Sequence, residues 1–131
     1  MNQFPDLEKL TVNLGFVDLG QIELLVRNGF YSNRSDFIRT AIRNQLATHA
    51  EATRQATTRL TLELGLRHFT RQELEALQKK GEQVDIRVLG LATIADDVSP
   101  ELATATIASV TVLGAFNASA EVKAALAGRL N

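Results

Sequence analysis

Lys9, Thr11 and Asn13 occupy every second position of the stretch KLTVN, and Ser32, Asn33 and Arg34 follow one another further along the chain. The first trio presents an ammonium, a hydroxyl and a carboxamide, groups that read a polar surface by hydrogen bonding. The second presents a hydroxyl, an amide and a guanidinium where a helix is about to start, and Ser and Asn are expected at any helix start. Groups arranged for catalysis are missing by comparison. His49 and His68 are isolated from each other and from carboxylates at ligand spacing, and Asp96-Asp97 reads as a solvated acidic loop rather than an acid–base pair or metal site. With no cysteine in the chain, thiolate sites and disulfides are excluded. The repeated glycines sit inside strand patterns, not in a phosphate-binding loop. The sequence therefore predicts recognition chemistry, with no enzyme activity, no cofactor and no metal.

Two kinds of element must position these side chains. Residues 9–16, KLTVNLGF, alternate, with Leu10, Val12 and Leu14 on one face and Lys9, Thr11 and Asn13 on the other. That is the pattern of a half-buried strand. Asp18, with Gln21 three residues on, predicts a capping box for a helix over 19–28, whose stripe is Leu19, Ile22, Leu25 and Val26. Gly29 stands where a left-handed residue closes such a helix. Phe30 and Tyr31 are expected to fold back onto the core. Asn33 then caps a second helix, with Asp36 able to return the bond, and Phe37, Ile38, Ala41, Ile42 and Leu46 continue at helical spacing.

A lone strand leaves its backbone groups unpaired, and two short helices cannot bury its apolar face. A twofold dimer solves both problems by pairing two copies of the strand antiparallel. Leu10, Val12 and Leu14 then pack with Ile22, Ile38 and Ile42 as a shared dimer core. Lys9, Thr11 and Asn13 remain on the open face of a two-stranded ribbon, a shape that fits the major groove of double-stranded DNA.

Residues 9–47 resemble the ribbon-helix-helix family of bacterial DNA-binding proteins, of the CopG/Arc/MetJ type. In that family a Gly-x-Tyr-x-Ser-Arg-Ser-Glu-x-Ile-Arg-x-Ala pattern commonly links the helices. Gly29, Tyr31, Arg34, Ser35, Ile38, Arg39 and Ala41 match it, with Asn33 in place of the first Ser and Asp36 in place of Glu. The resemblance implies base contacts from Lys9, Thr11 and Asn13. It also implies a phosphate clamp at Ser32, Asn33 and Arg34 at the N-terminus of the second helix. Family ribbons are often more basic than this one.

Charge is consistent with local rather than bulk attraction to DNA. The 131-residue chain carries a formal net charge of −1. Residues 1–49 are neutral, 50–81 carry +2 and 82–131 carry −3. With 45% hydrophobic residues the chain suits one compact domain or two small ones. Neither a membrane-spanning run nor a signal peptide is read, so a cytoplasmic protein is expected.

Beyond residue 50 the character changes. Residues 51–59 read as a linker or helical extension. LTLELGLRHF alternates, with Leu60, Leu62, Leu64 and Leu66 on one face, and is followed by a helix capped by Thr70 and Glu73 and stopped by Gly81. IRVLGLATI precedes a helix with Ser99 as cap and Pro100 in its first turn, and VTVLGAF precedes one capped by Ser119. The glycines at 65, 90 and 114 are 25 and 24 residues apart, and the second unit is longer between glycine and cap, nine residues against five. Three strand–helix units at this spacing predict a solenoid-like α/β module with parallel strands, here expected to be buried on both faces. Both sheet edges would be open unless covered, so self-association is expected through an edge or through Val112, Leu113 and Phe116.

The fold class expected is thus α+β: a ribbon-helix-helix domain over 1–50, the short 51–59 segment, and a βα-repeat oligomerisation module over 60–131. The function expected is a homodimeric DNA-binding transcriptional repressor that assembles into a tetramer or larger. One alternative is the antitoxin of a type II toxin–antitoxin pair, with a toxin as protein partner and its own operon as target. Another is a scaffold protein that keeps the ribbon dimer without binding DNA.

Overall fold

The computed structural model describes residues 7–131; residues 1–6, which the 1–50 assignment includes, lie outside the described residues. The described chain divides into two units, residues 9–56 and residues 57–131 together with Leu7 and Glu8.

In the first unit, residues 9–15 carry neither helix nor sheet ladder, and α1 spans Phe16–Arg27. The helix starts earlier than expected, and Asp18 is not its cap. Gly15 takes the N-cap position with φ −66° and ψ 153° and offers no side-chain cap. Asp18 lies instead in the first turn, where its charge favours the helix N-terminus. The other end follows the sequence closely. The Phe30 N–H donates to the Leu25 carbonyl at 3.0 Å and the Gly29 N–H to that of Val26 at 3.1 Å, with Gly29 at φ +84°. This pair of bonds is a Schellman closure, which a left-handed residue makes possible.

The second helix, α2, spans Arg34–Thr48, and α3 spans Ala50–Arg59, with His49 alone between them. Residues 51–59 are therefore helical throughout. Tyr31 packs edge-on against Phe37 with ring centroids 5.0 Å apart, whereas Phe30 stays 70% exposed and does not join the core.

The second unit opens on the end of α3. The Leu62 N–H donates to the Thr57 carbonyl at 3.0 Å and the Thr61 N–H to that of Thr58 at 3.1 Å. This is again a Schellman closure, but Thr61 holds the left-handed position at φ +57°. Leu60 and Leu62 consequently lie outside the strand that their alternation predicted, and β1 spans Glu63–Phe69. There follow α4 (Arg71–Lys80), β2 (Val84–Ile94), α5 (Pro100–Thr106), β3 (Ile107–Asn117), α6 (Ala120–Ala125) and a 3-10 turn at Ala127–Arg129. The three strands are parallel in the order β1-β2-β3, as the repeat spacing predicted.

In this unit the three helices that follow strands are capped by the expected side chains. Thr70 accepts from the Glu73 N–H, Ser99 from that of Leu102 and Ser119 from that of Val122. Gly81 ends α4 in the left-handed conformation. One face of the sheet and the helices enclose Phe69, Leu74, Ile86, Val88, Ile94, Leu102, Ile107, Val110, Val122 and Leu126. Arg129 donates to the carbonyls of Thr104 and Ile107 at 2.6 and 2.7 Å, tying the C-terminal turn to the end of α5.

One expectation for this module needs correction, and one is qualified. The strands are not buried on both faces: Val112 and Phe116 pack toward the core, while Leu64, Leu66 and Leu113 on the opposite face are 77%, 72% and 53% exposed. An all-apolar run cannot by itself say which face the helices cover. The β3 edge is also partly blunted, since Leu130 bridges Val110 in parallel and the Asn131 N–H donates to the Val110 carbonyl at 2.8 Å.

Gly65, Gly90 and Gly114 are in register across the sheet and all have positive φ, 124°, 141° and 123°. A Cβ at Gly90 would lie 2.1 Å from the Gly65 carbonyl oxygen, and one at Gly114 would lie 2.0 Å from that of Gly90. Only glycine fits this row.

Candidate nucleic-acid interface

Residues 9–14 are exposed on both sides of their alternation. Lys9, Thr11 and Asn13 face solvent, and so do Leu10, Val12 and Leu14. The half-buried strand expected over 9–16 is therefore not formed within the chain: residues 9–15 make no ladder, and Phe16 already belongs to α1.

The helices tell the same story. Among the residues of the 9–56 unit, Ile22 alone is buried. Ile38 and Ile42 lie one turn apart on α2 and remain exposed. A depression of about 430 Å³ does bring several expected core residues together, with Val12, Leu14, Leu19 and Ile38 lining it beside Asn13, Arg34 and Ser35. Residues 12–14 and the first turn of α2 therefore share one surface.

The N-terminus of α2 is built by reciprocal bonds. The Asp36 N–H donates to Asn33 Oδ1 at 2.8 Å, and the Ser32 N–H donates to Asp36 Oδ2 at 2.9 Å. The sequence predicted the cap, but the returning bond goes to Ser32 rather than to the N–H of Asn33. This changes the expected phosphate clamp. The Ser32 N–H is engaged by a carboxylate, so the donors a helix start aims outward are those of Arg34 and Ser35. Arg34 Nη1 also lies 3.6 Å from Glu23 Oε1, with both side chains largely exposed. Such an exposed pair is weak enough to exchange for a phosphate.

Ser32, Asn33 and Arg34 do converge, lining a shallow depression together with Glu23, Val26 and Arg27. Arg27 was not anticipated for this surface. Its signal was its place in the last turn of α1, which the Gly29 turn folds back beside the start of α2. The isolated groups elsewhere have ordinary surroundings: Asp97 lies 3.8 Å from Arg71, and His68 is exposed on β1. Among the described residues no helix is long and apolar enough to cross a membrane.

The model of the ribbon-helix-helix transcriptional regulator family matches residues 5–123. The match runs through both units, so the strand–helix repeats are part of what the family model describes and not an appendage to residues 9–47. No curated protein and no solved structure matches the chain.

Proposed function

Since the chain belongs to the ribbon-helix-helix transcriptional regulator family, we propose that it binds double-stranded DNA in a sequence-specific manner as a homodimer and represses transcription in the bacterial cytoplasm. Two copies of residues 9–14 pair antiparallel and enter the major groove. Lys9, Thr11 and Asn13 meet base edges there, and the N-terminus of α2, with Arg27 and Arg34 beside it, grips the flanking phosphates. Leu10, Val12 and Leu14 close against Ile22, Ile38 and Ile42 of both copies. The C-terminal module joins dimers into a tetramer or larger assembly.

The observation that carries this reading is the state of the 9–56 unit: an alternating segment and two amphipathic helices with a single buried side chain, Ile22. Such a unit lacks a core until a second copy supplies the other half. The antitoxin reading has less behind it, because the C-terminal unit builds a core of its own rather than a polar tail.

Genomic footprinting in the host, including the protein's own promoter, tests the proposal. Discrete protected sites whose occupancy falls steeply with salt are expected. Absence of any DNA shift at low salt would leave the scaffold reading in its place.

A further inference from the structure

The sheet of the C-terminal module ends on β1 at one side and on β3 at the other. Its two edges differ. Leu130 and Asn131 lie along the start of β3, whereas β1 has no strand beyond it among the described residues. An open edge offers a row of unmet N–H and C=O groups, which proteins commonly guard with proline, lysine or a cover. The strand ELGLRHF has neither proline nor lysine, and Glu63, Leu64, Gly65, Leu66 and His68 are exposed.

Backbone groups alternate in direction along a strand. The Phe69 carbonyl accepts from the Ala95 N–H at 3.0 Å, and the Gly65 carbonyl oxygen points at Gly90. Odd-numbered residues of β1 therefore turn their backbone groups to β2. Leu64, Leu66 and His68 turn theirs to the open side.

We infer that β1 pairs with β1 of a second copy, antiparallel about a twofold axis at Gly65, joining two three-stranded sheets into one. The inference rests on the assembly proposed above and names its contact. With Gly65 on the axis, Leu64 exchanges backbone bonds with the partner's Leu66, and Leu66 with the partner's Leu64. Glu63 then faces the partner's Arg67, and Arg67 faces the partner's Glu63. These are non-hydrogen-bonded pairs on one face of the sheet, where opposed side chains come closest.

Charge thus selects both the occupant and the register. A slip of two residues either way separates the charges, and a slip of four sets like charges opposite each other. The edge is complementary to itself, as an isologous contact requires. Within the chain Arg67 lies 3.8 Å from Glu63 and 3.4 Å from Glu73, and its guanidinium stacks 4.3 Å from the Phe69 ring centroid. Those ion pairs are exposed and weak enough to be shared with a partner. The contact is short and made mostly by backbone, so one pair of modules holds weakly. A ribbon dimer presents two modules, and two such contacts between the same pair of dimers reinforce each other. The product is a tetramer.

The test uses the full-length protein and light scattering. The natural sequence should be a tetramer. Glu63→Arg and Arg67→Glu, each alone, set like charges across the axis and should leave dimers. An equimolar mixture of the two variants, in which each chain faces its complement, should return tetramers. Mixing cannot repair an ion pair within one chain, so only the contact between chains explains that return. Circular dichroism checks that each variant folds. Leu64→Pro is the second route and decides if a charge variant does not fold: the N–H it removes faces the open side, so pairing with β2 is kept and dimers are expected. Folded variants that stay tetrameric, or folded charge variants whose mixture stays dimeric, overturn the β1 contact while leaving the proposed assembly standing. A natural protein that is a plain dimer overturns both.

Discussion

Asn33 and Asp36 bond to one another's end of the helix start: the Asn33 carboxamide accepts the Asp36 N–H at 2.8 Å, and the Asp36 carboxylate reaches back over Asn33 to the Ser32 N–H at 2.9 Å. The arrangement fixes the turn between α1 and α2, and it also sets a negative charge where a DNA phosphate is proposed to sit. These two effects separate by mutation. Asn33→Ala should lower stability by about 1 kcal/mol through loss of the cap, measured by urea denaturation. Asp36→Asn keeps an acceptor for Ser32 but removes the charge. It should tighten DNA binding several-fold with little preference among sequences, and unchanged binding would mean that no phosphate approaches this turn.

The ribbon itself is tested by sequence preference. Asn13→Ala should cost about 1–3 kcal/mol at the operator and little on random DNA. Equal losses on both would assign Asn13 to positioning. Lys9→Ala should flatten the salt dependence if the ammonium meets phosphate.

Dimerisation makes a prediction about concentration. A fragment ending at residue 56 should unfold at a midpoint that rises with protein concentration, because half of each core belongs to the other copy. Leu14→Lys should unfold the fragment. A stable monomer at micromolar concentration would remove the basis for the shared core.

Thr61 is a β-branched residue at φ +57°, a conformation that costs about 1–2 kcal/mol for an L-residue with a Cβ. Thr61→Gly should therefore stabilise the C-terminal unit by about 1 kcal/mol, seen as a higher thermal midpoint. Loss of stability would show that the threonine side chain contributes more than its backbone strain costs.

The glycines supply a contrast. Gly114→Ala would put a Cβ 2.0 Å from the Gly90 carbonyl oxygen and should prevent the module from folding. Gly20→Ala, in the middle of α1 with nothing within 4 Å of the added Cβ, should be stabilising by about 0.5–1 kcal/mol. Circular dichroism with thermal melts distinguishes the two.

What could be read from the sequence was what is decided locally. The caps at Asn33, Thr70, Ser99 and Ser119 and the closures at Gly29 and Gly81 depend on residues within a few positions of one another, and each forms as read. Leu60 and Leu62 misled because alternation is blind to the backbone: the left-handed Thr61 ends a helix in the middle of a perfect period of two. Asp18 was passed over because Gly15, with no side chain to signal a cap, supplied the extended entry to α1. The faces of β3 were not separable, since Val112 and Leu113 are equally apolar and only the helices decide which is covered. Arg27 joined the candidate interface through a turn, not through its neighbours in sequence. Alternation in residues 9–14 names no partner for Leu10, Val12 and Leu14, and these side chains, like Ile38 and Ile42, stay exposed within the chain.

The row at Gly65, Gly90 and Gly114 bears on how this module tolerates change over evolutionary time. A residue with a Cβ at Gly90 or Gly114 would put that atom where a carbonyl oxygen already lies, and a register slip would take the positive-φ backbone of these positions away from the glycines that permit it. Insertions and deletions within a strand are penalised in the same way. The chain between one strand and the next is under no such restriction, and it is there that the lengths differ: nine residues separate glycine from cap in the second repeat against five in the first and third. The row divides the module into a frame that must be inherited unchanged and connecting segments that are free to diverge, even between copies of the same repeat.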